Sequence, residues 1–118
     1  MKKMRLYGTA AADGSLTVNG ERSISGLLVA IKYLDTSFAE GADIVISCQG
    51  ADGVNTNLLT ITNGDASAIY YPRVAAHTIA GVAETPVDQY QLLEGTPRMV
   101  VAAGGNGGVG GVILYWLE

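Results

Sequence analysis

Asp-Gly and Asn-Gly pairs punctuate this chain at 13–14, 19–20, 52–53 and 63–64. Such pairs accept the positive φ of tight hairpin turns, because glycine has no Cβ to clash and Asn or Asp tolerates the left-handed region. Between them lie short runs of Val, Ile, Leu, Thr and Tyr. Sixteen glycines in 118 residues interrupt almost every window in which apolar residues could repeat at helical spacing. The best helical stretch, 36–40, is one turn at most and is ended by Gly41.

Strand patterns recur instead. Residues 4–9, 15–18, 23–34, 43–49, 57–62, 67–71, 97–103 and 112–117 carry them, with a short candidate at 90–93. In 43–49 the alternation is clean: Ile44, Ile46 and Cys48 share one face, and Val45, Ser47 and Gln49 the other. Residues 73–88 read as irregular, with Gly81 and Pro86 inside them, and Pro72 closes the strand before them because proline cannot donate to a ladder. About eight strands with hardly any helix predict a single all-β domain over 1–118. The expected form is an antiparallel β-sandwich, most simply a jelly roll, with a small closed barrel as the alternative. The last strand, Val112 to Leu117, is apolar on both faces, so its second face needs cover from a loop or from another chain.

Apolar residues make up 48 % and charged residues 15 % of the chain, which excludes intrinsic disorder. The net charge of −4 argues against a dedicated nucleic-acid binder. Charge is unevenly placed. Residues 1–34 hold five bases and two acids, whereas residues 35–118 hold two bases and nine acids. This asymmetry reads either as two ordinary solvated faces or as a basic N-terminal arm, residues 1–5, that meets an acidic surface on a neighbouring subunit. No apolar segment follows Lys2 and Lys3 as a signal peptide requires, and none approaches the ~20 residues of a membrane span, so we expect a soluble, non-secreted protein without membrane contact.

Motifs for chemistry are weak. Gly105-Asn106-Gly107-Gly108-Val109-Gly110 fits G-x-G-x-x-G, but a dinucleotide site needs a helix after it, and a strand follows here. These glycines read as a tight hairpin. Cys48 stands alone and reads as a small buried residue. His77 lacks any marked nucleophile or orienting acid, and one His with one Cys makes no metal cluster. Neither Asp13-Gly14-Ser15 nor Asp52-Gly53-Val54-Asn55 continues into a calcium loop. We therefore expect no enzyme, no cofactor and no metal. Arg73 and Arg98 each follow a proline, and such arginines hold loops or reach a partner.

Two stretches carry a resemblance. Tyr70-Tyr71-Pro72-Arg73-Val74 is followed, after an irregular segment, by Gly95-Thr96-Pro97-Arg98-Met99-Val100-Val101-Ala102-Ala103-Gly104-Gly105-Asn106 and a glycine-led terminal strand. This layout resembles small virion proteins encoded near the capsid gene of tailed bacteriophages. The resemblance implies a jelly-roll, homo-oligomeric capsid decoration or cement protein, on the exterior of the virion and in the host cytoplasm during assembly. Its partners would be itself, as a dimer or trimer, and the phage major capsid protein. The candidate interface is Lys2, Lys3, Arg5, Arg73, Arg98, Tyr115 and Trp116. Two other readings stand beside it: a tail or baseplate subunit, and a ligand-binding jelly roll using His77, Tyr70, Tyr71, Asp43 and Glu94.

Overall fold

The computed structural model describes residues 1–77 and 79–118, with all their side chains except those of residues 76 and 84–88. Nine strands form among them: β1 (Lys2–Thr9), β2 (Leu16–Asn19), β3 (Ile24–Asp35), β4 (Asp43–Gln49), β5 (Asn55–Ile61), β6 (Ala68–Tyr70), β7 (Arg73–His77), β8 (Ala83–Ala102) and β9 (Val109–Leu117). Every pairing is antiparallel. The order β1-β9-β3-β8-β4-β5 makes one sheet that curls into a half-barrel. No helix forms among the described residues, and 36–40 is a bend and turn. A turn there suffices because Asp35 Oδ1 accepts from the Phe38 amide and Ser37 donates its own amide to the Val109 carbonyl.

β8 organises the sheet. At its far end it forms a two-stranded ribbon with β7, then pairs with β3 over residues 91–95 and with β2 and β4 over residues 96–102. The expectation of an irregular 73–88 is thus corrected, and the short strand at 90–93 belongs to one strand of 20 residues with 97–102. The local turn signals misled because β8 tolerates its breakers. Gly95 takes φ +122° where β8 passes from β3 to β4, and a Cβ there would run into the Gln49 carbonyl. At Pro97 the carbonyl accepts from Gly20, so this residue's missing N–H faces the side on which β2 has just ended at Asn19.

One cluster fills the concave side. Leu6 of β1, Val112, Leu114 and Trp116 of β9, and Leu28, Ile31 and Tyr33 of β3 face Leu93, Met99 and Val101 of β8 and Ile44, Ile46 and Cys48 of β4. All are essentially inaccessible to solvent, and each such aliphatic or aromatic side chain stabilises the fold by about 1.5–3 kcal/mol relative to exposure. The period-2 alternation read in 43–49 matches the observed faces of β4. The glycines of 104–108 form the β8–β9 connection, in which Gly104 donates to the Gly14 carbonyl and accepts from the Ala39 amide.

Candidate functional site

The convex side of the sheet holds the features that could meet another molecule, and strand register places each of them. Leu27 of β3 lies opposite Leu92 of β8 and opposite Leu117 of β9. Residues directly opposite in a ladder point to the same face, so the three leucines form one row across three strands. They are 41, 56 and 40 % exposed, an unusual density for aliphatic side chains on a sheet surface. Two residues along β8, Tyr90 extends the row and is 42 % exposed, with the Arg73 guanidinium 4.5 Å from its ring centre.

A second set sits on the convex face of β1, β9, β3 and β6. Lys3 is opposite Tyr115, which is opposite Ala30. Arg5 is opposite Ile113, which is opposite Lys32, which is opposite Ile69. Lys3, Arg5, Lys32 and Ile69 are exposed, and Ile113 and Tyr115 are half-buried. Arg5 lies 4.0 Å above the Tyr7 ring, whose hydroxyl is bonded to Thr36 Oγ1 at 2.6 Å.

The convex face of β2, β8, β4 and β5 is mixed, with exposed Val45 and Val100 among polar side chains. Thr17, Val100, Val45 and Thr60 make one row, and Asn19, Arg98, Ser47 and Asn57 the next. Arg98 Nε donates to Asn19 Oδ1 at 3.0 Å, which ties β2 to β8. A cavity of about 130 Å³ opens among Gly50, Asp52, Val54, Thr56, Leu92 and Glu94. It is well below the ~300 Å³ at which small-molecule pockets begin.

Several expected site residues therefore change role. Trp116 is fully buried, because its position in β9 has the same phase as Val112 and Leu114, and it belongs to the core rather than to an interface. Residues 1–5 are not a free arm. Lys2 to Arg5 pair with Trp116 to Ile113, and Met4 is buried. On the second face of β9, Ile113 and Tyr115 are half-buried among side chains of the flanking β1 and β3, while Leu117 is exposed. Arg73 works as a pin: Nη1 donates to the Val29 carbonyl at 3.0 Å and to the Pro72 carbonyl at 2.8 Å. It fixes the base of the β7–β8 ribbon to the bulge in β3.

The alternative ligand set is scattered. His77 is exposed on the ribbon opposite Ala83, Asp43 caps a turn by accepting from the Asn63 amide, and Glu94 lines the small cavity. Tyr70 packs on the core and Tyr71 is exposed. Cys48 is buried, and burial pushes its thiol pKa up, which makes it a poor nucleophile. The Asp13 carboxyl is held below its usual range by bonds from the Ser15 hydroxyl and amide, the mark of a turn residue. Sequence reasoning missed the leucine row, because opposition across strands depends on register, which periodicity alone does not give. Compared with known proteins, the chain matches no family model, no curated protein and no solved structure.

Proposed function

We propose that this protein is a structural subunit of a tailed-phage virion, a decoration or cement protein that docks on the capsid exterior and stabilises the shell through protein–protein contacts. The half-barrel is, in this reading, a curled jelly-roll subunit. The observation that carries it is the row Leu117–Leu27–Leu92, exposed on a sheet whose other face is a packed core. A rigid strand surface fixes these side chains before binding, so little conformational entropy is lost when a partner covers them. A patch of this size gives weak binding alone, and the symmetry of a shell multiplies it when several copies engage together.

Co-sedimentation with purified capsids that lack this protein tests the reading. Saturable binding at a stoichiometry set by capsid symmetry is the expected result. Absence of binding from low to high salt overturns it.

A further inference from the structure

The basic convex face and the acidic residues of the same chain form neighbouring regions that meet along β3, where Asp35 follows Lys32 by three residues. No base occurs between residues 33 and 72, a stretch that holds Asp35, Glu40, Asp43, Asp52 and Asp65. The fold gathers four of these five acids at one end. Asp65 Oδ1 accepts from the Gly41 amide at 2.8 Å, Asp43 Oδ1 accepts from the Asn63 amide at 3.1 Å, and the Gly64 amide donates to the Ala42 carbonyl. The β3–β4 and β5–β6 connections are thus bonded to each other, with Glu40 and Asp65 in the turns and Asp35 and Asp43 at the strand ends that flank the β3–β4 turn.

Next to that end, Lys3, Arg5 and Lys32 point outward from β1 and β3 among Tyr7, Tyr115, Ile113 and Ile69. In these rows none of the three bases has an acid opposite it. Strand spacing puts Arg5 about 7 Å from Lys3 along β1 and about 10 Å from Lys32 across β9. Three like charges within roughly one Debye length repel one another, and an acidic partner relieves that repulsion. The bases are interleaved with apolar side chains, which suits a protein surface, and a net charge of −4 opposes a polyanion.

We propose that the convex face of β1, β9, β3 and β6 docks a second copy of this chain through that copy's acidic β3–β4/β5–β6 end. The contact is heterologous, so repeated copies close into a ring or extend as a chain. Four strands by three outward positions present roughly 400 Å² per side, about half of a standard interface. Each contact is accordingly weak and salt-sensitive. The shell reading supplies the biological setting for this contact, but the self-contact is measured without any shell, so either can fail alone.

Sedimentation velocity on the full chain at about 0.05 M and 0.5 M salt provides the test. The face variant is Lys3→Gln/Arg5→Gln/Lys32→Gln, which removes the bases without creating an acidic face. The end variant is Glu40→Lys/Asp43→Asn/Asp65→Asn, in which Asn keeps the Oδ1 acceptors of the turns. The wild type should associate at low salt and dissociate at high salt, while each variant alone stays monomeric. An equimolar mixture of the two should form a 1:1 dimer that does not grow, because only one compatible contact remains. Should the face variant fail to fold by circular dichroism, Arg5→Gln/Lys32→Gln should still weaken association several-fold. A wild type that is monomeric at low salt, variants that associate like the wild type, or a mixture that stays monomeric would each overturn the proposal.

Discussion

Trp116 is fully buried in the core, yet its indole Nε1 has no hydrogen-bond partner among the described residues. A buried donor left unsatisfied costs about 1–3 kcal/mol. Trp116→Phe removes that donor together with a ring. The smaller side chain leaves a void on the order of 40 Å³, worth about 1 kcal/mol at ~24 cal/mol per Å³. Loss of roughly 30 Å² of buried apolar surface adds about 0.7 kcal/mol. The two effects nearly offset, so the variant should lie within about 1 kcal/mol of the wild type. Tyr33→Phe supplies the contrast. Tyr33 is equally buried, and its hydroxyl donates to the Gly64 carbonyl at 2.8 Å. Its removal creates almost no void but leaves that carbonyl without its donor, at a cost of about 1–3 kcal/mol. Urea unfolding followed by far-ultraviolet circular dichroism is the assay, since Trp116 is the only tryptophan and its loss removes the fluorescence signal. With a slope of about 1.5 kcal/mol per M, the Tyr33→Phe midpoint should fall by about 1 M and the Trp116→Phe midpoint by less than about 0.7 M. A larger fall for Trp116→Phe than for Tyr33→Phe would mean that the unpaired indole does not destabilise the core.

Burial, with Asp35, Tyr70 and Asp65 nearby, pushes the Tyr33 phenol up to about 12. An unfolded tyrosine loses its proton near pH 10, so this contribution to stability is complete below about pH 10 and is lost as pH rises toward 12. Chemical unfolding across that window should show a decline that Tyr33→Phe reduces. Deleting residues 1–5 removes the pairs Lys2–Trp116 to Arg5–Ile113 and the buried Met4, and should lower thermal stability by the equivalent of about 2–5 kcal/mol. An unchanged melting temperature would return this segment to the status of a free arm. Gly111→Ala drives a Cβ into the Leu6 carbonyl and the Tyr7 backbone, where β1 lies on β9. It should cost more than about 2 kcal/mol and raise amide exchange along β1, and exchange rates equal to the wild type would contradict that packing.

Much of the fold is legible from residue pattern. The absence of helix among the described residues follows from glycine density, and the inner face of β4 follows from the alternation of Ile44, Ile46 and Cys48 with other residues. What alternation does not encode is where a strand stops. Pro72, Gly81 and Pro86 argue for a loop, yet β7 and β8 pair across that region, because a two-stranded ribbon needs only half of its backbone groups satisfied within the sheet. Pro97 does not break β8, because its missing donor lies where β2 has already ended. The surface was harder to read than the core. Trp116 looked like an interface anchor because both faces of 112–117 are apolar, and only the phase with Leu114 decides which face turns inward. The basic N-terminus looked like an arm because charge does not reveal that Met4 and Leu6 dock inward between the charges. Arg73 and Arg98 were recognised as candidates, and both serve to hold segments of the chain together.

In the proposed function, this chain works by presenting a prearranged sheet surface to other proteins. Hydroxyl-radical footprinting of Leu27, Leu92 and Leu117, on free protein and on protein bound to capsids, tests it most directly. The expected result is strong oxidation of all three in solution and protection of all three on the shell, with buried Leu28 and Leu93 unreactive in both states. Capsid-bound protein that leaves the leucine row as reactive as in solution would contradict the claim.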